Sequence, residues 1–210
     1  MKILDISLPL SPRTPHWPTD TPTRLWQTSC IADGAHSNDT HMETSLHAGT
    51  HYDAPLHFLA EGKSIDKIDL SAFMGPAYVA HLPRVKSISE HDLEKIRLPK
   101  GTTRILFKTV NSKRWGTAAT EFNEEYVGVT AGAAQWLVKN KIKLVGIDYL
   151  SVAAFSEIVP VHRALLGKGI VILEGLDLRK AKEGKYELVA LPLLIPGSEA
   201  SLVRAVLLTK

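Results

Sequence analysis

Apolar and polar positions along this chain change period several times, and each change predicts an element. Residues 3–7 read as a first strand. Residues 9–22 carry five prolines and Trp17. Proline fixes its own φ and keeps the residue before it out of the α region, so this stretch predicts an ordered, extended loop. Residues 24–31 and 38–46 read as the strands of a hairpin or ribbon, and short apolar runs at 78–82 and 105–109 as buried strands. Residues 89–96 predict a short helix capped by Ser89, with Asp92 in its first turn. Thr130 caps a second helix reaching about residue 140, with Ala134, Leu137 and Val138 on its apolar face.

A buried strand over 143–148 then ends in Asp148, and residues 162–168 have a helical pattern closed by Gly169. Residues 170–173 predict a strand running into Glu174-Gly175, and residues 186–191 and 202–209 complete the sheet. Strand, helix, strand, helix, strand over 105–174 is a βαβ rhythm between two strand-rich ends. The class is therefore α/β, a mixed sheet in a sandwich or barrel-like core with flanking helices. The length suits a single domain over residues 1–210.

Charge changes this picture little. The net charge is +3, and the densest basic run, Lys139-Asn-Lys141-Ile-Lys143, reads as a solvated helix end. A nucleic-acid partner is not expected. No apolar run reaches the roughly 18 residues that span a membrane, and Met1-Lys-Ile-Leu-Asp5 lacks a signal-peptide pattern. The lone cysteine, Cys30, excludes an internal disulfide and fits a reducing cytoplasm.

The chemistry concentrates in His47-Ala-Gly-Thr-His51-Tyr-Asp53-Ala-Pro-Leu-His57-Phe58. Imidazole and carboxylate hold zinc or manganese, and they also carry acid–base chemistry. His47, His51, Asp53 and His57 share parity, but full extension would part His47 from Asp53 by about 20 Å. A continuous helix is opposed by Gly49 and Pro55. A tight turn at Gly49 remains, following a strand that ends near Leu46 and leading into a compact loop whose side chains converge. Further groups must come from elsewhere. His162 stands at the start of a predicted helix, and Glu174 and Asp148 each end a buried strand, where a carboxylate must be paired, metal-bound or solvated. Trp17 on its proline-rich loop, together with Phe58, is a candidate pocket wall, whereas Trp26 is expected in the core. Thr50 is expected to bond within its own loop.

The cluster matches every fixed position of H-x-G-T-H-x-D-x-P-x-H, and so resembles the metal-dependent cyclase family that includes bacterial kynurenine formamidases and isatin hydrolases. The opening Asp5-Ile-Ser-Leu-Pro-Leu10, the segment Trp17-Pro-Thr-Asp20, the segment from His162 to Glu174-Gly-Leu and the C-terminal stretch extend the resemblance over almost the whole chain. It implies a swivelling β/β/α fold and a homo-oligomer, a dimer or tetramer. It also implies a metal centre of one or two zinc ions, or manganese. His47, His51 and Asp53 would hold one ion. Asp53, His162 and Glu174 would hold a second, with Asp53 bridging and His57 as acid–base. The implied activity is hydrolysis of a small amide or formamide, arylformamidase-like. A hydrolase of another cyclic amide or lactone is the alternative within the family, and a non-catalytic metal-binding protein is the alternative outside it. The chain departs from the formamidase pattern at Thr19, where the matching loop carries glycine, and at Tyr149-Leu-Ser151 and Arg163.

Overall fold

A computed structural model describes residues 1–116 and 121–209. In chain order its strands are β1 (Lys2–Asp5), β2 (Arg24–Ser29), β3 (Asp39–Glu43), β4 (His51–Asp53), β5 (Met74–His81), β6 (Arg104–Lys108), β7 (Leu144–Ile147), β8 (Val171–Glu174), β9 (Gly184–Val189), β10 (Ala200–Leu202) and β11 (Val206–Thr209). The helices are α1 (Glu90–Lys95), α2 (Ala131–Lys139) and α3 (Ile158–Leu166). β2 and β3 pair only with each other, and the rest form one mixed sheet in the order β1-β11-β9-β5-β6-β7-β8-β4-β10. β5, β6, β7 and β8 run parallel. The expected β6-α2-β7-α3-β8 rhythm supplies the crossovers that parallel strands require.

Period-two alternation divides the core between the two faces of the sheet. Ile105, Phe107, Val145, Ile147 and Ile172 point to the face covered by the helices, where Leu93, Leu137, Val161 and Leu165 meet them. Leu106, Leu144, Val171 and Leu173 point the other way and pack with Ile6, Tyr52, Phe73, Leu188 and Leu207. Helix starts follow the sequence signals. Ser89 and Asp92 form a reciprocal capping box on α1, and the Thr130 hydroxyl accepts from Ala133 N–H at the start of α2.

Several expectations change. The strand expected over 202–209 is two strands, β10 and β11, at one edge and near the opposite edge of the sheet. Four residue steps from Leu202 to Val206 reach at most about 14 Å. The sheet must therefore curl until its two ends approach. Arg204, in the gap, pairs with Asp5 at the end of β1. β3 stops at Glu43 rather than near Leu46, and α3 begins at Ile158, so His162 lies mid-helix. Trp26 is 46% exposed on the ribbon rather than in the core. A two-stranded ribbon with no layer on either side buries neither face. Lys139, Lys141 and Lys143 are exposed, as expected of a solvated helix end. Among the described residues, no helix is long and apolar enough to cross a membrane.

Candidate metal centre

Four elements deliver the clustered side chains to one point on the helix-covered face. Within β4, Tyr52 turns into the core on the far side, so His51 and Asp53 turn towards α3. β8 lies antiparallel beside β4 with His51 opposite Glu174 and Asp53 opposite Ile172. The turn before β4 passes through Gly49 at φ 59°, a left-handed conformation that favours glycine. It brings His47 back until Nδ1 stands 2.9 Å from Asp53 Oδ1. α3 presents His162 on the same buried face as Val161, Leu165 and Leu166. The cluster loop is thus part strand: the expected turn at Gly49 is present, but residues 51–53 are paired on both edges, to β8 and β10.

The spacings suit a cation. His51 Nε2 is 3.6 Å from Asp53 Oδ1 and 3.4 Å from Glu174 Oε2. His162 Nε2 is 3.7 Å from Asp53 Oδ2 and 3.4 Å from Glu174 Oε1. These are long for hydrogen bonds. Ligand atoms about 2.1 Å from a tetrahedral ion stand about 3.4 Å from one another. His51 Nε2 and both oxygens of Asp53 are buried without a well-aligned hydrogen-bond partner, which is costly unless something else satisfies them. The far ring nitrogens are occupied: His51 Nδ1 faces Gly49 O at 3.1 Å, and His162 Nδ1 faces Ile158 O at 2.7 Å. A carbonyl there holds the proton on Nδ1 and leaves Nε2 as a lone-pair donor, the arrangement that orients metal-binding histidines. Glu174 Oε1 accepts the Val152 N–H at 2.6 Å. Two groups, His47-His51-Asp53 and Asp53-His162-Glu174, can each gather around an ion, and they share Asp53. The residues present fit a divalent metal.

The clustered groups shift one another's protonation. Burial disfavours the His47 imidazolium, but the Asp53 carboxylate beside it, helped by Glu174 and Glu199, raises its pKa to about 9. Burial opposes ionisation of Asp53 as well, yet the hydrogen bond and charge of the His47 ring beside it hold its carboxyl well below the usual range. Burial lowers the His57 pKa, which favours neutral imidazole.

The Cyclase family model matches residues 4–154 of this sequence. This chain belongs to the Cyclase family. The kynurenine formamidase of Geobacillus thermodenitrificans (strain NG80-2) is 40% identical over 97% of this chain and 96% of its own length. A solved structure described as a predicted metal-dependent hydrolase, from Bacillus stearothermophilus, superposes with a TM-score of 0.83 at 30% identity, covering 98% of this chain and 97% of that one. Isatin hydrolase A from Ralstonia solanacearum shares the fold, with a TM-score of 0.85 at 24% identity over 100% and 92% of the two chains.

The site of this Cyclase-family protein opens into a cavity of about 250 Å³. Every metal-binding candidate reaches it, as do His57, Trp17 and Phe58. Pro55 opens a single helical turn, Pro55–His57, whose last residue hangs beside the cluster without belonging to either ligand group. The His57 ring lies 4.2 Å from that of His47 and meets Phe58 edge-on at 4.6 Å, while Phe58 stacks on His162 at 4.4 Å.

Asp148, the other strand-end carboxylate, stays outside. It accepts from N–H and hydroxyl of both Thr109 and Ser112 at 2.6–3.0 Å. Thr50 does not bond within its loop. Its hydroxyl accepts from Leu8 N–H at 2.8 Å and donates to Gly175 O at 2.6 Å, tying the N-terminal segment to the end of β8. Sequence reasoning missed Glu199, whose Oε1 lies 3.4 Å from His47 Nε2, and the pocket walls Leu150, Ser151 and Ile158. None of these carries a local signal; only the folded sheet brings them to the cluster.

Proposed function

We propose that this protein is a metal-dependent hydrolase of a small amide or formamide, arylformamidase-like, acting from one domain over residues 1–210. One observation carries the reading. A buried set of nitrogen and oxygen donors with no thiolate adjoins a free-standing histidine at the wall of a pocket. His47, His51 and Asp53 would hold one ion, and Asp53, His162 and Glu174 would hold a second where two are bound. The ion is zinc or manganese, both of which suit mixed imidazole and carboxylate ligands. Such an ion supplies Lewis acidity, polarising a substrate carbonyl and acidifying water.

The protein's own groups do the rest. His57, neutral because burial lowers its pKa, accepts the proton of the attacking water and returns it to the leaving nitrogen as the C–N bond breaks. A formanilide so treated gives formate and an aromatic amine. Phe58 packs against both His57 and His162 and fixes their spacing, while Trp17 gives the substrate ring an aromatic wall. Identity to a kynurenine formamidase over nearly the whole chain supports N-formylkynurenine as substrate. The family resemblance further supports a homo-oligomer, a dimer or tetramer, and the lone Cys30 supports a cytoplasmic location.

The test is hydrolysis of N-formyl-L-kynurenine by protein loaded with zinc or manganese, beside a chelator-stripped sample. Metal-dependent turnover is expected. Bound metal without turnover would exclude the arylformamidase and favour a cyclic amide or lactone. That second reading has an observation of its own: Thr19 lines the cavity where the matching formamidase loop carries glycine, and a branched side chain there narrows it.

A further inference from the structure

Three histidines converge on the candidate metal centre, and His47 is held differently from the other two. His51 belongs to β4 and His162 to α3, whereas His47 stands in the turn that precedes β4. A side chain on a loop is placed less tightly than one on a strand or helix. The His47 side chain is also the most open of the three, at 17% exposure against 1% and 3%. His51 and His162 each face a backbone carbonyl with Nδ1, which leaves Nε2 towards the carboxylates. His47 is reversed. Its Nδ1 faces Asp53, and its Nε2 faces Glu199 Oε1 at 3.4 Å.

The sheet brings Glu199 there. β10 lies beside β4 with Ala200 opposite Asp53, and Ala54 N–H donates to Glu199 O at 2.8 Å. On the other side, Ile65 N–H donates to Ser198 O at 2.8 Å, and the Ser198 hydroxyl donates to Ala200 O at 3.0 Å. The backbone around Glu199 is thus fixed against the strand that carries His51 and Asp53, while its side chain, 42% exposed, reaches back to the turn. Glu199 belongs to neither group of potential ligands.

A neutral imidazole offers the Nδ1 lone pair only while its proton sits on Nε2. A carboxylate at Nε2 favours that tautomer, orients the ring and makes Nδ1 a better donor. We infer that Glu199 is a positioning residue: it accepts a hydrogen bond from His47 Nε2–H and so holds Nδ1 beside Asp53 for a divalent ion. The His57 ring lies 4.2 Å from that of His47, so the same tether sets the spacing between a ligand and the acid–base. This deepens the proposed function and rests on it for the metal, not for the substrate. Half-exposed ion pairs are commonly worth little, and 3.4 Å is long for a hydrogen bond. The decisive observation is therefore whether Glu199 reaches the metal.

The test measures zinc and manganese affinity by competition with a chromophoric chelator, in full-length wild type, E199A, E199Q and E94A. Glu94, exposed on α1, controls for the loss of one negative charge. E199A is expected to bind metal about tenfold to a hundredfold more weakly than wild type. E199Q should keep part of the affinity, because its amide carbonyl still accepts, and E94A should match wild type. The loss in E199A should persist in about 1 M salt, where exposed charges act over only about 3 Å. Thermal unfolding of the metal-free proteins should give the same midpoint for wild type and E199A.

Equal affinity in wild type and E199A, an equal loss in E94A, a loss abolished by salt, or a lowered metal-free midpoint overturns the inference and leaves the metal centre standing. A wild type that binds neither metal sinks the metal-dependent hydrolase and the inference together. Metal binding that depends on Glu199, with no hydrolysis of N-formyl-L-kynurenine, supports the inference and sinks the formamidase alone.

Discussion

Replacing Gly175 by alanine should damage the site from a position that touches no ligand atom. Gly175 follows Glu174 at φ +66°, and a Cβ there would sit 1.9 Å from the Gly49 carbonyl oxygen and 2.6 Å from its carbon. Both chains are pinned. Gly175 N–H donates to Tyr149 O at 2.7 Å, and its carbonyl accepts from Thr50 at 2.6 Å. Left-handed strain at a non-glycine residue costs about 1–2 kcal/mol. Forcing a methyl against backbone adds about 1–3 kcal/mol, here towards the upper end because the contact is so short.

Gly169 provides the control. It has φ +71° with nothing within 4 Å of a built Cβ, so G169A carries the strain alone. Equilibrium urea unfolding by circular dichroism should show G175A losing about 3–5 kcal/mol and G169A about 1–2 kcal/mol. Changes in unfolded-chain entropy are common to both and cancel in the difference. Zinc content after dialysis should fall in G175A only, because relieving the overlap parts His51 from Glu174. Equal losses in the two variants would refute the reasoning.

Other expectations follow from the site. H57A should keep its metal content, measured by plasma emission, while turnover drops by about a hundredfold to ten-thousandfold; loss of metal with activity would make His57 a ligand. Stripping with a chelator should lower the thermal midpoint and turnover together, and added zinc or manganese should restore both, since a ligand that binds only the folded state stabilises it. T50V keeps the shape but strands the Leu8 N–H and the Gly175 carbonyl, and should cost about 2–3 kcal/mol in urea unfolding. T50S should recover most of it, and a neutral T50V would mean that water replaces the hydroxyl.

Much of this was legible in the chain because the signals were local. Ser89 and Thr130 announced their helices, and apolar runs announced the parallel strands. The His-Ala-Gly-Thr-His-Tyr-Asp series announced a turn at Gly49 and a convergent cluster. What stayed hidden depends on long-range partners. Three residues, His51 to Asp53, are too few to show alternation as a strand, and only pairing with β8 and β10 makes them one. Residues 202–209 read as one continuous strand because nothing in their pattern records a sheet that curls. Pro160 suggested a helix start close to His162, but proline is tolerated throughout a first turn, where its missing N–H would be unpaired anyway. Glu174 and Asp148 were equivalent in sequence; Thr109 and Ser112 separate them by occupying Asp148. Trp26 misled because an aromatic in an uncovered ribbon has no core to enter.

The tie between Thr50 and Gly175 spans 125 positions, and the pairing of His51 with Glu174 is nearly as long. During synthesis, then, the ribosome exposes His47, His51 and Asp53 long before their counterparts exist. The growing chain offers only a partial, weak claw for stray cations. A metal bound as proposed above would meet its full donor set only when β8 closes against β4, late in the folding of the chain.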